Sequence, residues 1–469
     1  MVFGGLLALL IAQLFGKTLE TDAFFAAYGV YTLGITFTQS FRLTAVSLLV
    51  ADDAPETVTR MLGAVVVMAL GLAIPMVVLA PAVGGVLVEV DPTDVAPDAL
   101  RIFWVALLGQ LLAAMLATVL AVRGAFMAIG ATTLVVGLIS LGTFLLAEPA
   151  LGILAAPVGL AIGGLWLAAV LGTLVARRGW RPRAPSIATV RAMCAEARRL
   201  TFASAVFLGA SLTYVISVAM AARQGAGEAT LFAYAYTLAA ILIGVTANVS
   251  GMVRSPAVVA SSERTADAAA VGLWSFRFTV LLTGPVLAMS LLVGKPAIGF
   301  VLGSDFGGSN ATSIVVTLVC LAGWVLATAG GLFAVIELLA RGELTRLALL
   351  AVAQIVVVAG ATFVGADLAG IEGIAVAVSV VTLCATWVHL RWAFGALWRE
   401  IAADMTRAVL RELAVVGVAL APSAALVLAF GETAPAIVPA AALATVLLTA
   451  ATALAWPRES RALRRLLPF

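Results

Sequence analysis

Arg42 is the one basic residue set well inside an apolar run, in "TFTQSFRLTAVSLLV". It stands eight residues before the end of that run, about 12 Å of helix. An arginine can snorkel over part of that distance. Held at such depth it ordinarily faces a cavity or a partner, because exposure to lipid is costly. A planar five-donor cation suits bidentate capture of a diphosphate, whereas a snorkelling arginine at the interface needs no ligand. Gln39 lies three residues earlier and shares its helical face. A second polar group, Thr246, Asn248 and Ser250 in "GVTANVSGMVRS", either lines a cavity or ties helices together.

The stretch "FGKTLETDAFFAAY" places Lys17, Glu20 and Asp22 in one short connection between apolar runs. Asp22 opens the second run, where a carboxylate can accept the first free amides of its helix and oppose the positive end of the dipole. With Lys17 and Glu20 it can also form an ion pair that breaks when a mouth opens. Glu337 and Arg341, four residues apart, read as a helical ion pair. Cys194, Cys320 and Cys384 are widely separated, and with a single histidine neither a disulfide framework nor a metal site is expected. No Walker motif or Gly-rich phosphate loop is present. No cofactor is expected, and any driving force comes from the membrane potential, an ion gradient or a cargo gradient.

The elements that must position these residues follow from composition. The chain has 469 residues, 63% hydrophobic and 11% charged. Apolar segments of about twenty residues recur from end to end, which reads as a polytopic membrane protein. Without the alternation of barrel strands the spans must be helices, so the fold class is all-α. Runs at 2–16, 23–50, 61–88, 101–122, 125–147, 151–176, 200–221, 229–252, 273–293, 312–339, 345–366, 371–390, 409–430 and 434–456 give about 14 transmembrane helices. With the N-terminus inside, 22 of the 27 Lys and Arg fall in inner connections and the tail, as the positive-inside rule requires. The expectation is a multi-pass protein of the cytoplasmic membrane with both termini cytoplasmic.

The longest basic connection, "ARRGWRPRAPSIATVRAMCAEARRL", divides the chain after six spans. Expected units are an N-lobe at 1–176, a basic linker at 177–199, a C-lobe with an amphipathic segment at 200–408, two extra helices at 409–456 and a basic tail at 457–469. The linker can attract anionic headgroups or act only as a topology determinant. "DAFFAAY" at 22–28 and "EATLFAY" at 228–234 align as an internal repeat, matching an acid, Ala23 with Ala229, Ala27 with Ala233, and Tyr28 with Tyr234. At the same offset Arg42 corresponds to Asn248, so both lobes carry polar groups at matching depth.

Phe15, Gly16, then Asp22, Ala23, Phe24, Phe25 and Ala27 resemble the first loop and second helix of the lipid II flippases (MurJ/MviN) of the multidrug/oligosaccharidyl-lipid/polysaccharide exporter superfamily. The 6+6+2 arrangement is similar to theirs. The resemblance implies a central cavity opening alternately to the two sides, a polyprenyl-diphosphate-linked glycan or peptidoglycan precursor as cargo, and a lipid-tail groove beside the helices at 409–456. The chain departs from the family where cavity arginines and a glutamate would stand. Leu7, the "TLGI" at 32–35, Thr237 and Ala240 occupy those positions, and Asp22 carries over.

The expected function is therefore an alternating-access flippase, a transporter rather than an enzyme. Arg42, Gln39 and Asn248 bind substrate, and Asp22 and Lys17 gate. Expected partners are the lipid-linked substrate, anionic membrane lipids and envelope biosynthesis enzymes, with no nucleic acid. Alternatives are a cation-coupled exporter, a transport-dead scaffold, or a polyprenyl-phosphate-sugar glycosyltransferase using Asp91 and Asp94. The first span holds about 14 apolar residues, roughly 21 Å against a core near 30 Å. An upstream extension of that helix is expected.

Overall fold

The computed structural model describes residues 2–51, 55–88, 94–122, 124–179, 187–248, 264–430 and 434–456. Among them every regular element is helical. In chain order these are α1 (Val2–Phe15), α2 (Leu19–Ala51), α3 (Pro55–Val78), a short α4 (Ala80–Leu87), α5 (Val95–Val122), α6 (Phe126–Leu151), α7 (Ala155–Arg177), α8 (Ile187–Ala222) and α9 (Glu228–Ile243). Then follow α10 (Arg264–Leu302), α11 (Ser309–Cys320), α12 (Ala322–Ala340), α13 (Leu344–Phe394), α14 (Trp398–Phe430) and α15 (Ala434–Ala455). Where they fall on described residues, the apolar runs of the sequence are helical.

Among the described residues, six stretches are long and apolar enough to cross a membrane: Val95–Val122, Met127–Arg177, Glu228–Ala247, Thr265–Leu302, Ser309–Ala340 and Leu344–Ala425. Several contain more than one span. Within α13, Ala369 and Gly370 leave helical geometry, with Gly370 at φ +56°, and so separate the runs at 345–366 and 371–390. A π-helical turn, Gly244–Asn248, ends α9.

The chain forms two compact units. The first comprises Met1–Thr230 with Leu344–Ala359, the second Leu231–Glu343 with Gly360–Phe469. In the first, α2 packs on α5 and α8, α3 on the same two helices, and α7 on α5 and α6. Close crossings use small residues, as helix pairs in lipid do. A Cβ on Gly109 of α5 would stand 2.5 Å from the Gly164 carbonyl carbon of α7, and one on Gly159 equally close to the Ser140 oxygen of α6. The α2–α5 contact is aromatic: Tyr31 stacks on Phe103 at 4.7 Å, with Phe24 and Tyr28 each 5.9 Å from the same ring.

In the second unit α10 packs against α11, α12, α14 and α15, and α14 against α15. Gly330 of α12 leaves room for Phe276 of α10 and Met405 of α14. Glu337 and Arg341 do pair, at 2.8 Å, and the pair is more than local. Thr265 at the start of α10 also donates to Glu337 Oε1 at 2.9 Å, so the buried carboxylate ties α12 to α10.

Candidate functional site

The connection 16–18 and the start of α2 are built by a local device and then used for a distant one. Thr18 and Thr21 form a reciprocal capping pair. The Thr18 amide donates to Thr21 Oγ1 at 2.9 Å and the Thr21 amide to Thr18 Oγ1 at 3.3 Å. With its own helix capped by threonines, Asp22 is free to turn outward. Its carboxylate is 1% exposed and accepts the amide of Gly227 at 2.5 Å, the amide of Thr230 at 2.8 Å and the hydroxyl of Thr230 at 2.6 Å.

Gly227 immediately precedes α9 and Thr230 lies in its first turn. Asp22 therefore caps α9 rather than α2, from another part of the chain, satisfying amides that a helix start leaves open. This corrects the expectation that Asp22 caps its own helix. The dipole of α9 adds to the attraction, and Glu228 stands in the same first turn.

Lys17 completes the cluster, with Glu228 as its partner at 2.9 Å. The turn at Gly16, with φ +61°, stands just before Lys17, whose charge acts on the Asp22 carboxyl as well. Gly227 has φ +80°, and a Cβ there would collide with the Lys17 methylenes, so this turn requires glycine. Asp22 lies ahead of the span at 23–50. Burial raises its carboxyl above the usual range, against the opposing pull of the Thr230 hydroxyl, the two amides and Lys17.

All these residues belong to the first unit, whose boundary falls at Thr230. The acids matched by the repeat, Asp22 and Glu228, thus meet in one network of charges and amides. Thr18, Thr21, Gly227 and Thr230 were not among the expected site residues. A Thr-x-x-Thr ahead of an apolar run and a Gly-x-Gly before an acid were the signals that could have found them.

Arg42 and Gln39 lie on α2, and Asn248 on the π-helical turn, but their side chains fall outside the described residues. Along the continuous α2, Arg42 stands 20 residues beyond Asp22, about 30 Å by helical rise. The cluster at Asp22 and the region of Arg42 therefore occupy opposite ends of one helix. Thr246, on the π-helical turn, is buried and donates to the Leu242 carbonyl at 2.6 Å. Asp91 lies outside the described residues, and Asp94 has φ +53° just before α5.

No family model matches the chain, and no curated protein matches it in sequence. Solved structures do. The lipid II flippase MurJ in an inward closed conformation superposes with a TM-score of 0.69 at 15% identity, over 97% of this chain and 96% of that one. An inward-facing multidrug resistance MATE family transporter of the MOP superfamily gives 0.59 at 14% identity, over 86% and 99%. An outward-facing structure of such a transporter gives 0.57 at 13%, over 87% and 94%. At these identities the likeness establishes the fold: an all-α, polytopic membrane architecture shared with these proteins.

Proposed function

We propose that this chain is an alternating-access flippase that moves a polyprenyl-diphosphate-linked envelope glycan or peptidoglycan precursor across the cytoplasmic membrane. The observation that carries this reading is the extent of the structural likeness. The flippase match runs over 97% of the chain, against 86% for the inward-facing multidrug transporter. In this reading an N-lobe at 1–176 and a C-lobe at 200–408 flank the cargo path. Both termini are cytoplasmic, and the helices at 409–456 shelter the lipid tail.

Asp22 and Lys17 form the gate at the outer mouth. Their network supports that role because it fastens the start of α9 to the start of α2 through a few side-chain groups. Arg42, Gln39 and Asn248 bind the diphosphate and sugar deeper in the path. Arg42 compensates for the arginines absent at Leu7, at 32–35 and at Thr237.

The test is translocation of a labelled undecaprenyl-diphosphate glycolipid in liposomes containing the purified protein, with Arg42→Ala and Asp22→Asn alongside. Wild-type flipping that is lost with Arg42→Ala supports the reading. A folded wild type that flips no such lipid overturns it in favour of a small-molecule exporter or a transport-dead scaffold.

A further inference from the structure

One carboxylate in the second unit is buried in a way that no ion pair among the described residues explains. On α14, Ile401, Met405, Ala408, Glu412, Ala419 and Ser423 are buried at spacings of three, four or seven residues. They form one core-facing stripe, and an acid occupies a position on it where alanine would pack. Glu412 is 3% exposed. Its Oε2 accepts the indole N–H of Trp456 at 2.8 Å, while its Oε1 has no hydrogen-bond partner among the described residues. The opposing surface of α10 is Gly284, where a Cβ would stand 2.7 Å from Glu412 Cγ and 2.9 Å from Oε1. The absence of a side chain at Gly284 is what admits the carboxyl.

The adjacent cation is engaged elsewhere. The Arg411 guanidinium donates to the Ala455 carbonyl and lies 4.9 Å over the Trp456 ring. Of the other charged groups on helices packed against Glu412, Arg277 of α10 faces Asp404 at 3.8 Å, and Arg407 pairs with Asp404 at 2.8 Å. No titratable residue lies between Arg277 and Lys295 on α10, and α15 carries none. The residues after Trp456 lie outside the described part. Thr283 and Thr452, one residue before Gly284 and one turn before Trp456, also leave buried hydroxyls without a partner among the described residues. Thr279, Thr445 and Thr449 of the same helices bond the carbonyl four residues back.

An ionised carboxylate with one donor and a bare oxygen is poorly held in such a place, whereas a neutral carboxylic acid is tolerated. We propose that Glu412 is a reversible proton-binding site that couples the transporter to a proton gradient by fastening and releasing α15 from α14. This rests on the transport reading above. An O–H bond forms on Oε1 as hydronium gives up a proton to become water, and the reverse step returns it. With the proton bound, Arg411 stays on the Ala455 carbonyl and the Trp456 ring. Without it, the anion one residue away draws the guanidinium off that carbonyl, and the end of α15 is freed.

Infrared titration of the purified protein tests the site without any cargo. The expected result is the carbonyl band of one protonated carboxylic acid at neutral pH, absent in Glu412→Gln and moved in frequency in Trp456→Phe, which keeps the acid and removes its donor. A wild type without that band, or a band unchanged in Glu412→Gln, overturns the proposal. A band abolished by sodium at constant pH overturns it too, in favour of an alkali-cation site. In liposomes, an imposed pH gradient is expected to change wild-type cargo movement several-fold and leave Glu412→Gln at its no-gradient rate. Should the band behave as expected while no cargo moves, the proton site stands and the transport reading fails.

Discussion

Asp22 accepts the backbone amide of Thr230 at 2.8 Å across 208 residues of chain. The contact joins the starts of two helices that the sequence aligns as a repeat, and it does so by capping. A side-chain carboxylate supplies acceptors to amides that α9 cannot bond internally. Because the groups involved are buried, removing the acceptor leaves donors with neither protein nor water to bond.

Replacing Asp22 with alanine therefore lowers stability by about 1–3 kcal/mol, the range for orphaning buried donors. Thr230→Val, which removes one donor and leaves the amides capped, costs less. The two substitutions together fall short of the sum, since both act on one bond. Thermal unfolding of the three variants in detergent checks this. Full additivity would mean that Asp22 and Thr230 are not coupled.

The Lys17–Glu228 pair is partly exposed, at 17% and 28%. Its coupling should be modest, about 0.2–1 kcal/mol, and weakened by salt. Lys17→Met and Glu228→Gln each lower the melting temperature slightly, and the swap Lys17→Glu with Glu228→Lys recovers part of the loss. If the swap is no better than the worse single variant, the pair contributes by packing of the Lys17 stem rather than by charge.

Acid should favour the Asp22 network. The folded carboxyl is raised above its ordinary 3.8 mainly by burial, so the native state holds the proton more tightly than the unfolded chain. By linkage, the stability from this group is fully present below 3.8 and is lost as pH rises through the raised value. The difference in melting temperature between wild type and Asp22→Asn is expected to shift in favour of wild type as pH falls from neutral. A difference flat across that window would show that the carboxyl titrates at its ordinary value.

Much of the architecture is readable from apolar runs because a bilayer admits only internally bonded backbone. Even the break between the runs at 345–366 and 371–390 is visible at Gly370. The partners of charged side chains are not. Asp22 reads locally as the cap of α2, because the amides it actually bonds lie more than 200 residues away. Thr18 and Thr21, which take over the local task, carry a weak but legible signal. Nothing in the sequence singles out Glu412. Its burial depends on Gly284 and Trp456, whose relevance appears only once α10, α14 and α15 pack together. Periodicity reports which face is buried, and it is silent on which distant atom meets a polar group there.

The crossing of α5 and α7 offers a stability test away from any charge. A Cβ on Gly109 would meet backbone atoms of Gly164 and Leu165 at 2.5 and 2.6 Å, and backbone cannot rotate aside as a side chain can. Gly109→Ala should force the helices apart, at about 1–3 kcal/mol or more for an overpacked core. By contrast, Gly142→Ala on α6, where nothing stands within 4 Å of the added carbon, should be neutral or slightly stabilising through helix propensity. Melting temperatures of the two variants in the same detergent decide the matter. A Gly109→Ala protein as stable as Gly142→Ala would mean that α5 and α7 do not cross at this point.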